Sequence, residues 1–122
     1  MTEINIFRRA TNSVELEAGE IIFDEGDEGD LMFAVIEGHI ELSHDGLVLE
    51  TVGPGGILGE LALIDSAPRS ATALATTDAR IVPVSKKDFL FLVQEHPTFA
   101  LKVMTVMSER LRRANALLRG EE

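Results

Sequence analysis

The stretch from Gly59 to Thr72 holds the residues of this chain that are best suited to bind an anion. Glu60 and the apolar residues after it can form a short helix, and backbone N–H groups at the start of a helix attract anions. Arg69 follows Pro68 and carries a planar, charged guanidinium group that can donate to two phosphate oxygens at once. An anion site beside a carboxylate that accepts a ribose hydroxyl group would suit a nucleotide. The alternative is a helical turn whose Glu60 and Arg69 pair with each other or with solvent.

Two short motifs in this stretch resemble the phosphate-binding cassette of cyclic nucleotide-binding domains. They read Gly59-Glu60-Leu61-Ala62-Leu63 and Pro68-Arg69-Ser70-Ala71-Thr72, and the similarity continues over nearly the whole chain. The resemblance implies that Glu60 accepts the ribose 2′-hydroxyl group and that Arg69 binds the cyclic phosphate. It further implies phosphate-binding N–H groups near Ala62 and Ser70, and a polar contact from Asn115 to the purine. The implied ligand-binding residues are therefore Gly59, Glu60, Leu61, Ala62, Arg69, Ser70 and Asn115.

The elements that must position these residues change character near residue 85. Before it, short apolar runs are separated by glycines, as in a small antiparallel β structure, at residues 21–23, 31–36, 40–43, 47–52, 71–75 and 80–84. Asp45-Gly46 lies between two of these runs and predicts a two-residue hairpin turn. The resemblance implies an α+β fold, mainly β: an eight-stranded antiparallel β-roll, similar to a jelly roll, with a short N-terminal helix, a cassette helix and two C-terminal helices. It covers residues 1–122 as one domain, with the roll at about 10–85 and the C-terminal helices at about 86–119.

After residue 85 the apolar residues follow a helical period. Ser85 can cap a first helix, and His96-Pro97 separates it from a longer helix that ends near Gly120. On the longer helix, residues spaced three and four apart form a seam of the coiled-coil type: Leu101, Met104, Ser108, Leu111, Asn115 and Leu118. A second stripe is expected to pack on the β-roll and consists of Phe99, Val103, Val106 and Ala114. Two stripes predict a homodimer through this helix; the alternatives are one broad core face, or a lid over the nucleotide base.

The overall charge argues against nucleic acid as a partner. The chain has 21 acidic and 11 basic residues and a net charge of −10 at pH 7, which repels phosphates. Arg110, Arg112, Arg113 and Arg119 have no aromatic residue among them and are expected to form a solvated basic helix end. The apolar runs are too short to cross a membrane and no signal peptide is evident at the N-terminus, so a cytoplasmic location without a membrane partner is expected.

The residues that usually carry metal or catalytic chemistry give no support for an enzyme. No cysteine is present, which excludes disulfides, thiolate metal sites and cysteine nucleophiles. Residues 24–30 include five carboxylates, but the run is too short for a calcium loop and is expected to be a solvated turn. A cupin-like metalloenzyme, the other β-roll candidate, needs two histidines two residues apart, and His39, His44 and His96 do not provide them. The chain is therefore expected to be no enzyme and to hold neither a metal nor a cofactor.

The sequence thus predicts a stand-alone regulatory module that senses a cyclic nucleotide. Cyclic AMP (cAMP) is the expected ligand and cyclic GMP (cGMP) the alternative, since members of both ligand classes resemble this chain at Ser70. Ligand binding is expected to shift the helices after residue 85 and to act on an unidentified protein effector. A function of another class, an interaction module that keeps the fold without a ligand, is disfavoured by the intact Glu60 and Arg69.

Overall fold

The computed structural model describes residues 3–120, which form eight strands, one short 3₁₀ helix and two α-helices. The strands are β1 (Val14–Leu16), β2 (Ile21–Phe23), β3 (Leu31–Glu37), β4 (Ile40–His44), β5 (Leu47–Val52), β6 (Ile57–Leu58), β7 (Thr72–Ala75) and β8 (Ala79–Ser85). The 3₁₀ helix, Glu60–Leu63, is called the cassette helix, and the α-helices are α1 (Lys86–Glu95) and α2 (Thr98–Leu118). None of the helices within residues 3–120 combines the length and the apolar character that a membrane span requires.

The strands make two antiparallel sheets of four, in the orders β1-β8-β3-β6 and β2-β7-β4-β5. Side chains of β8 alternate between two core clusters. Ile81 packs with residues of the second sheet, whereas Val82 and Val84 pack with α2. Because strand side chains point to opposite faces with a period of two, the first sheet separates a core between the sheets from a core under the helices.

The predicted hairpin at Asp45-Gly46 is confirmed and joins β4 to β5. Asp45 has a φ of 49° and Gly46 a φ of 79°, the positive values that a two-residue turn of this kind requires. The N–H group of Asp45 donates to a carboxylate oxygen of Glu25, in the loop after β2. This hydrogen bond therefore links the tip of the β4–β5 hairpin to the loop after β2.

The two predicted C-terminal helices are present and end where the sequence indicates. Ser85 and Asp88 form a reciprocal capping box at the start of α1. His96 ends α1, and α2 begins after Pro97. Gly120, with a φ of 76°, donates its N–H group to the carbonyl of Leu117 and closes α2. These local signals fix the length and the starting direction of both helices.

The predicted short N-terminal helix is not formed within the described residues. Residues 6–9 make hydrogen-bonded turns instead. Ile4 and Phe7 are buried, and the Phe7 ring lies edge-on to Phe99 with 5.8 Å between the ring centroids. A turn lets both side chains reach the core within four residues, and so short a segment cannot recover the cost of nucleating a helix.

Helix α2 presents two different faces. Phe99, Val103 and Val106 are buried under the first sheet, which confirms most of the predicted core stripe. Ala114 was wrongly placed in that stripe, because it is exposed and lines a cavity beyond the sheets. The apolar residues of the predicted seam are 54–87% exposed and are Leu101, Met104, Leu111 and Leu118. The two stripes therefore do not form one broad core face.

Candidate functional site

An open cavity of about 570 Å³ lies between the cassette, residues 59–72, and the C-terminal half of α2. Its volume is within the range of small-ligand sites. Six of the seven residues predicted to bind ligand line it: Gly59, Glu60, Leu61, Ala62, Arg69 and Ser70. Helix α2 contributes the opposite wall with Met107, Arg110, Leu111, Arg113, Ala114 and Leu117. The two sequence motifs therefore meet at one concave surface, facing a helix that the motifs do not include.

Arg69 is buried in the wall of this cavity, with 9% of its surface exposed. Its guanidinium carbon lies 4.2 Å from the ring centroid of Phe23, a cation–π contact. Its two terminal nitrogens donate to the carbonyls of Gly59 and Leu31, at 3.3 and 2.8 Å. The buried Nε–H group has no hydrogen-bond partner among the described residues. Since buried donors are normally paired, the unpaired Nε–H group of Arg69 is an exception that requires a physical reason.

Two glycines leave the space that the Arg69 side chain occupies. Gly59 has a φ of 75°, and a Cβ atom there would lie 2.7 Å from a terminal nitrogen of Arg69. A Cβ atom on Gly29 would lie 2.5 Å from the other terminal nitrogen. The sequence indicated the need for glycine at position 59. It gave no sign that Gly29, which lies thirty residues before Gly59 in a different loop, serves the same side chain.

The acidic loop, residues 24–30, is bonded to the backbone of Arg69. The N–H group of Arg69 donates to the carbonyl of Asp27, and the N–H group of Gly26 donates to the carbonyl of Arg69, both at 2.8 Å. Glu25 also donates its N–H group to the hydroxyl of Thr72. The loop was expected to be a solvated turn. Its side chains are mostly exposed, but its backbone holds the cassette arginine in place.

Glu60 is buried and bound by a residue that the sequence did not single out for the site. One of its carboxylate oxygens accepts a hydrogen bond from Arg110, at 2.6 Å. Arg110 also donates to Glu50 and to the carbonyl of Ile57, and Arg113 pairs with Glu50 at 2.9 Å. Arg110 and Arg113 were expected in a solvated helix end, which is wrong. Their spacing of three residues, which puts both on one helix face, was the available signal, but the sequence did not show that two glutamates lie opposite.

The charges of this network shift the pKa values of its members. Burial raises the pKa of the Glu50 carboxyl group, but hydrogen bonds and the charges of Arg110 and Arg113 outweigh burial, so the pKa lies below its usual value. Burial lowers the pKa of Arg110, and Glu60 and Glu50 more than reverse this effect. Burial also lowers the pKa of Arg69, with the acidic loop and Glu60 opposing it. An arginine stays protonated near neutral pH despite such a shift, so both arginines carry full charges at the cavity.

Two backbone positions predicted to face a phosphate differ in their surroundings. The N–H group of Ala62 donates to the carbonyl of Gly59 at 3.2 Å, because the 3₁₀ helix closes its first turn on that residue. Ser70 is exposed on the cavity wall beside Arg69, and Leu61 is half exposed at the rim. Ser70 is therefore the more accessible of the two positions, and the N–H group of Ala62 would have to give up its bond to bind an anion.

Asn115 does not reach the candidate site. It is exposed and is not among the described residues that line the cavity, whereas Leu111 and Ala114 are. One residue corresponds to about 100° of rotation around a helix, so the step from Ala114 to Asn115 turns the side chain away from the cavity. The polar contact from Asn115 to a purine therefore stays a prediction that this cavity does not support, because its helix wall presents apolar side chains and Arg110 and Arg113.

The chain is similar to proteins with known names along most of its length. Residues 13–96 match the model of a family described as "Cyclic nucleotide-binding domain". The chain is 32% identical to the cyclic AMP receptor protein of Thermus thermophilus over 102 residues, which is 80% of this chain and 47% of that protein. It spans less than half the length of the first curated relatives that it matches.

Solved structures show the same similarity in three dimensions. The catabolite activator protein of Thermus thermophilus superposes with a TM-score of 0.77 at 31% identity, over 88% of this chain and 53% of that one. The cAMP-bound protein PfPKA-R gives 0.74 at 33% identity, over 90% and 37%. A structure described with the words "A cyclic-GMP-dependent signalling pathway regulates bacterial phytopathogenesis" gives a TM-score of 0.66 at 31% identity, over 97% of this chain and 94% of that one. The chain therefore belongs to the cyclic nucleotide-binding domain family.

Proposed function

We propose that this chain binds a cyclic nucleotide in the cavity between the cassette and α2, with cAMP as the ligand and cGMP as the alternative. The observation that carries the proposal is the buried, unpartnered Nε–H group of Arg69 at the cavity wall. A cyclic phosphate would supply the missing acceptor and pair with the guanidinium charge. The related proteins named for cAMP support this ligand, and the relative of the cyclic-GMP-dependent pathway supports the alternative.

Glu60 is proposed to bind the ribose while it remains paired with Arg110. A carboxylate has two oxygens, and the bond from Arg110 is to Oε1. Oε2 is therefore available in this scheme for the ribose 2′-hydroxyl group. Since Arg110 belongs to α2 and Glu60 to the cassette helix, a ligand that changes the position of Glu60 acts on α2 through this ion pair.

The output of the module is proposed to be regulatory and to pass through α2. The seam of α2 is exposed in the described structure, and a homodimer through it would cover Leu101, Met104 and Leu111. An effector protein could use the same face. Ligand contact with Arg110 and the apolar cavity side of α2 would then alter the surface that the partner binds, without a catalytic step.

Calorimetric titration with cAMP, cGMP and non-cyclic 5′-AMP tests the proposal. We expect binding of a cyclic nucleotide at one site per chain, and a loss of at least about tenfold in Arg69→Gln, which keeps donors but removes the charge. Arg112→Gln is the matched control, because Arg112 is exposed on α2 away from the cavity. A thermal melt checks that both variants fold. The absence of binding by all three nucleotides to the folded wild-type chain, or equal affinity in Arg69→Gln, would overturn it.

A further inference from the structure

Three side chains outside the cavity form a second polar cluster. Glu25 belongs to the acidic loop, and His44 and Asp45 lie at the tip of the β4–β5 hairpin. Nδ1 of His44 lies 2.8 Å from a carboxylate oxygen of Glu25, and Nε2 lies 3.4 Å from a carboxylate oxygen of Asp45. One donor atom of each residue lies within 4.8 Å of the other two. Glu25 therefore lies at one nitrogen of the imidazole and Asp45 at the other, and all three side chains are close enough for modest rotations to bring them around one ion.

The donor set suits a first-row divalent cation. Imidazole nitrogen binds zinc well, and carboxylate oxygens complete many zinc sites. Adjacent ligand atoms of a tetrahedral zinc ion are about 3.4 Å apart, which follows from metal–ligand distances of about 2.0–2.1 Å. The separations within the cluster, from 2.8 Å up to at most 4.8 Å, bracket this value. Rotation of two exposed side chains would bring all three donors to one ion and leave its fourth position for water.

We infer that Glu25, His44 and Asp45 bind one Zn²⁺ ion, and that the bound ion strengthens nucleotide binding in the cavity. The sequence predicted no metal here because residues 24–30 were considered alone. His44 is nineteen residues away from Glu25 along the chain, and the pairing of β4 with β5 brings it to the loop. The second half of this inference rests on the proposed function, whereas the first half does not.

The acidic loop connects the cluster to Arg69. Glu25 is followed by Gly26, which bonds the carbonyl of Arg69, and by Asp27, which bonds its N–H group. An ion that joins Glu25 to the hairpin would restrain this loop and hence the backbone of Arg69. Two positive charges next to the five carboxylates of residues 24–30 would also reduce the local repulsion of an anionic ligand. Both effects would increase the affinity for the nucleotide. Thermodynamic linkage then requires that the nucleotide strengthens zinc binding by the same factor.

Titration of the nucleotide-free chain with ZnCl₂ tests the site itself. We expect one zinc ion per chain and an affinity at least about tenfold lower in His44→Gln, since loss of even an outer-shell partner of a metal costs 10- to 100-fold. His39→Gln is the control, because His39 is also exposed but lies outside the cluster. Asp45→Asn removes a ligand charge while asparagine tolerates the positive φ of the turn. Equal zinc affinity in wild type and His44→Gln, or no zinc binding by the folded chain, would overturn the site.

Titration with cAMP and cGMP in the presence and absence of zinc tests the coupling. We expect nucleotide affinity to rise about fivefold or more with zinc in the wild type and to stay unchanged in His44→Gln. Zinc binding without any change in nucleotide affinity would refute the coupling but would not contradict the zinc site. If the chain binds zinc but no nucleotide under any condition, the proposed function fails on its own. Melting curves of each variant establish that the compared proteins are folded.

Discussion

Replacing Arg110 with methionine should destabilise the protein by about 2–3 kcal/mol. The substitution keeps the stem of the side chain and leaves the carboxylate of Glu60, 7% exposed, without the cation that lies 2.6 Å from it. Removing one partner of a buried ion pair costs about 3–5 kcal/mol. The expected loss is smaller here because Arg110 is 20% exposed and Arg113 still pairs with Glu50. For a domain of this size, the melting temperature should fall by about 8–12 °C.

A double-mutant cycle isolates the ion pair from other effects of the substitution. Urea unfolding at pH 7 of the wild type, Arg110→Met, Glu60→Gln and the double variant gives the four free energies of unfolding. We expect a coupling energy of about 1.5 kcal/mol or more, because the neutral amide of Glu60→Gln no longer requires a cation. Arg112→Met is the control for loss of an exposed arginine from the same helix, with an expected change within about 0.5 kcal/mol.

Two results would contradict this reasoning. If Arg110→Met is no less stable than Arg112→Met, the ion pair does not hold α2 against the cassette. If Arg110→Met costs as much in the Glu60→Gln background as in the wild type, the loss comes from the contacts of Arg110 with Glu50 or with the carbonyl of Ile57. In either case Glu60 could not transmit ligand binding to α2 as proposed.

Three further predictions concern the same cavity. Glu50→Gln should lower the free energy of unfolding at pH 7 by about 1–2 kcal/mol. Because the pKa of Glu50 is lower in the folded state, its carboxylate stabilises the fold above pH 4.5, and this contribution disappears as the pH falls through the folded-state pKa. The free energy of unfolding, measured in urea, should therefore fall less steeply with decreasing pH in Glu50→Gln than in the wild type. Gly29→Ala should weaken nucleotide binding about tenfold by displacing Arg69, whereas Gly53→Ala, with 3.4 Å of clearance, should bind normally in calorimetry. Raising the salt concentration should not weaken nucleotide binding steeply, because the net charge of −10 repels the ligand and Arg69 is buried from screening ions; titrations at two salt concentrations measure this.

The parts of the fold that the sequence predicted are those that local chemistry determines. Asp45-Gly46 specifies its turn through backbone conformation, and Ser85 specifies the start of α1 through its side-chain hydrogen bond. The two cassette motifs are likewise short, and each meets the cavity as a unit. The N-terminal helix failed as a prediction because the burial of Phe7 against Phe99, ninety-two residues later, overrides a weak local preference.

The residues that line the α2 side of the cavity are determined by contacts between parts of the chain that are far apart in sequence. Arg110 meets Glu60 because α2 folds back across the cassette, and neither residue's neighbours in sequence contain that information. The burial of Val103 and Val106 under the first sheet sets the rotation of α2 about its own axis. This rotation in turn determines which residues of α2 face the cavity. Asn115 is an example: its helix was predicted correctly, but the rotation that leaves it outside the cavity lining could not be.

Leu111 belongs to both surfaces that α2 is proposed to use. It lies in the predicted seam, lines the cavity and is 63% exposed. A second copy of the chain on the seam would bury Leu111 from outside, and a ligand base in the cavity would contact it from inside. Arg110, its neighbour in the helix, is fixed to Glu60 on the cassette, so a shift of α2 changes the position of Leu111 relative to both partners. If the nucleotide and the second subunit each prefer one position of α2, their binding free energies are coupled, and the coupling is equal in both directions. For such a coupling, the ligand and the partner need only prefer different positions of the one helix that both contact.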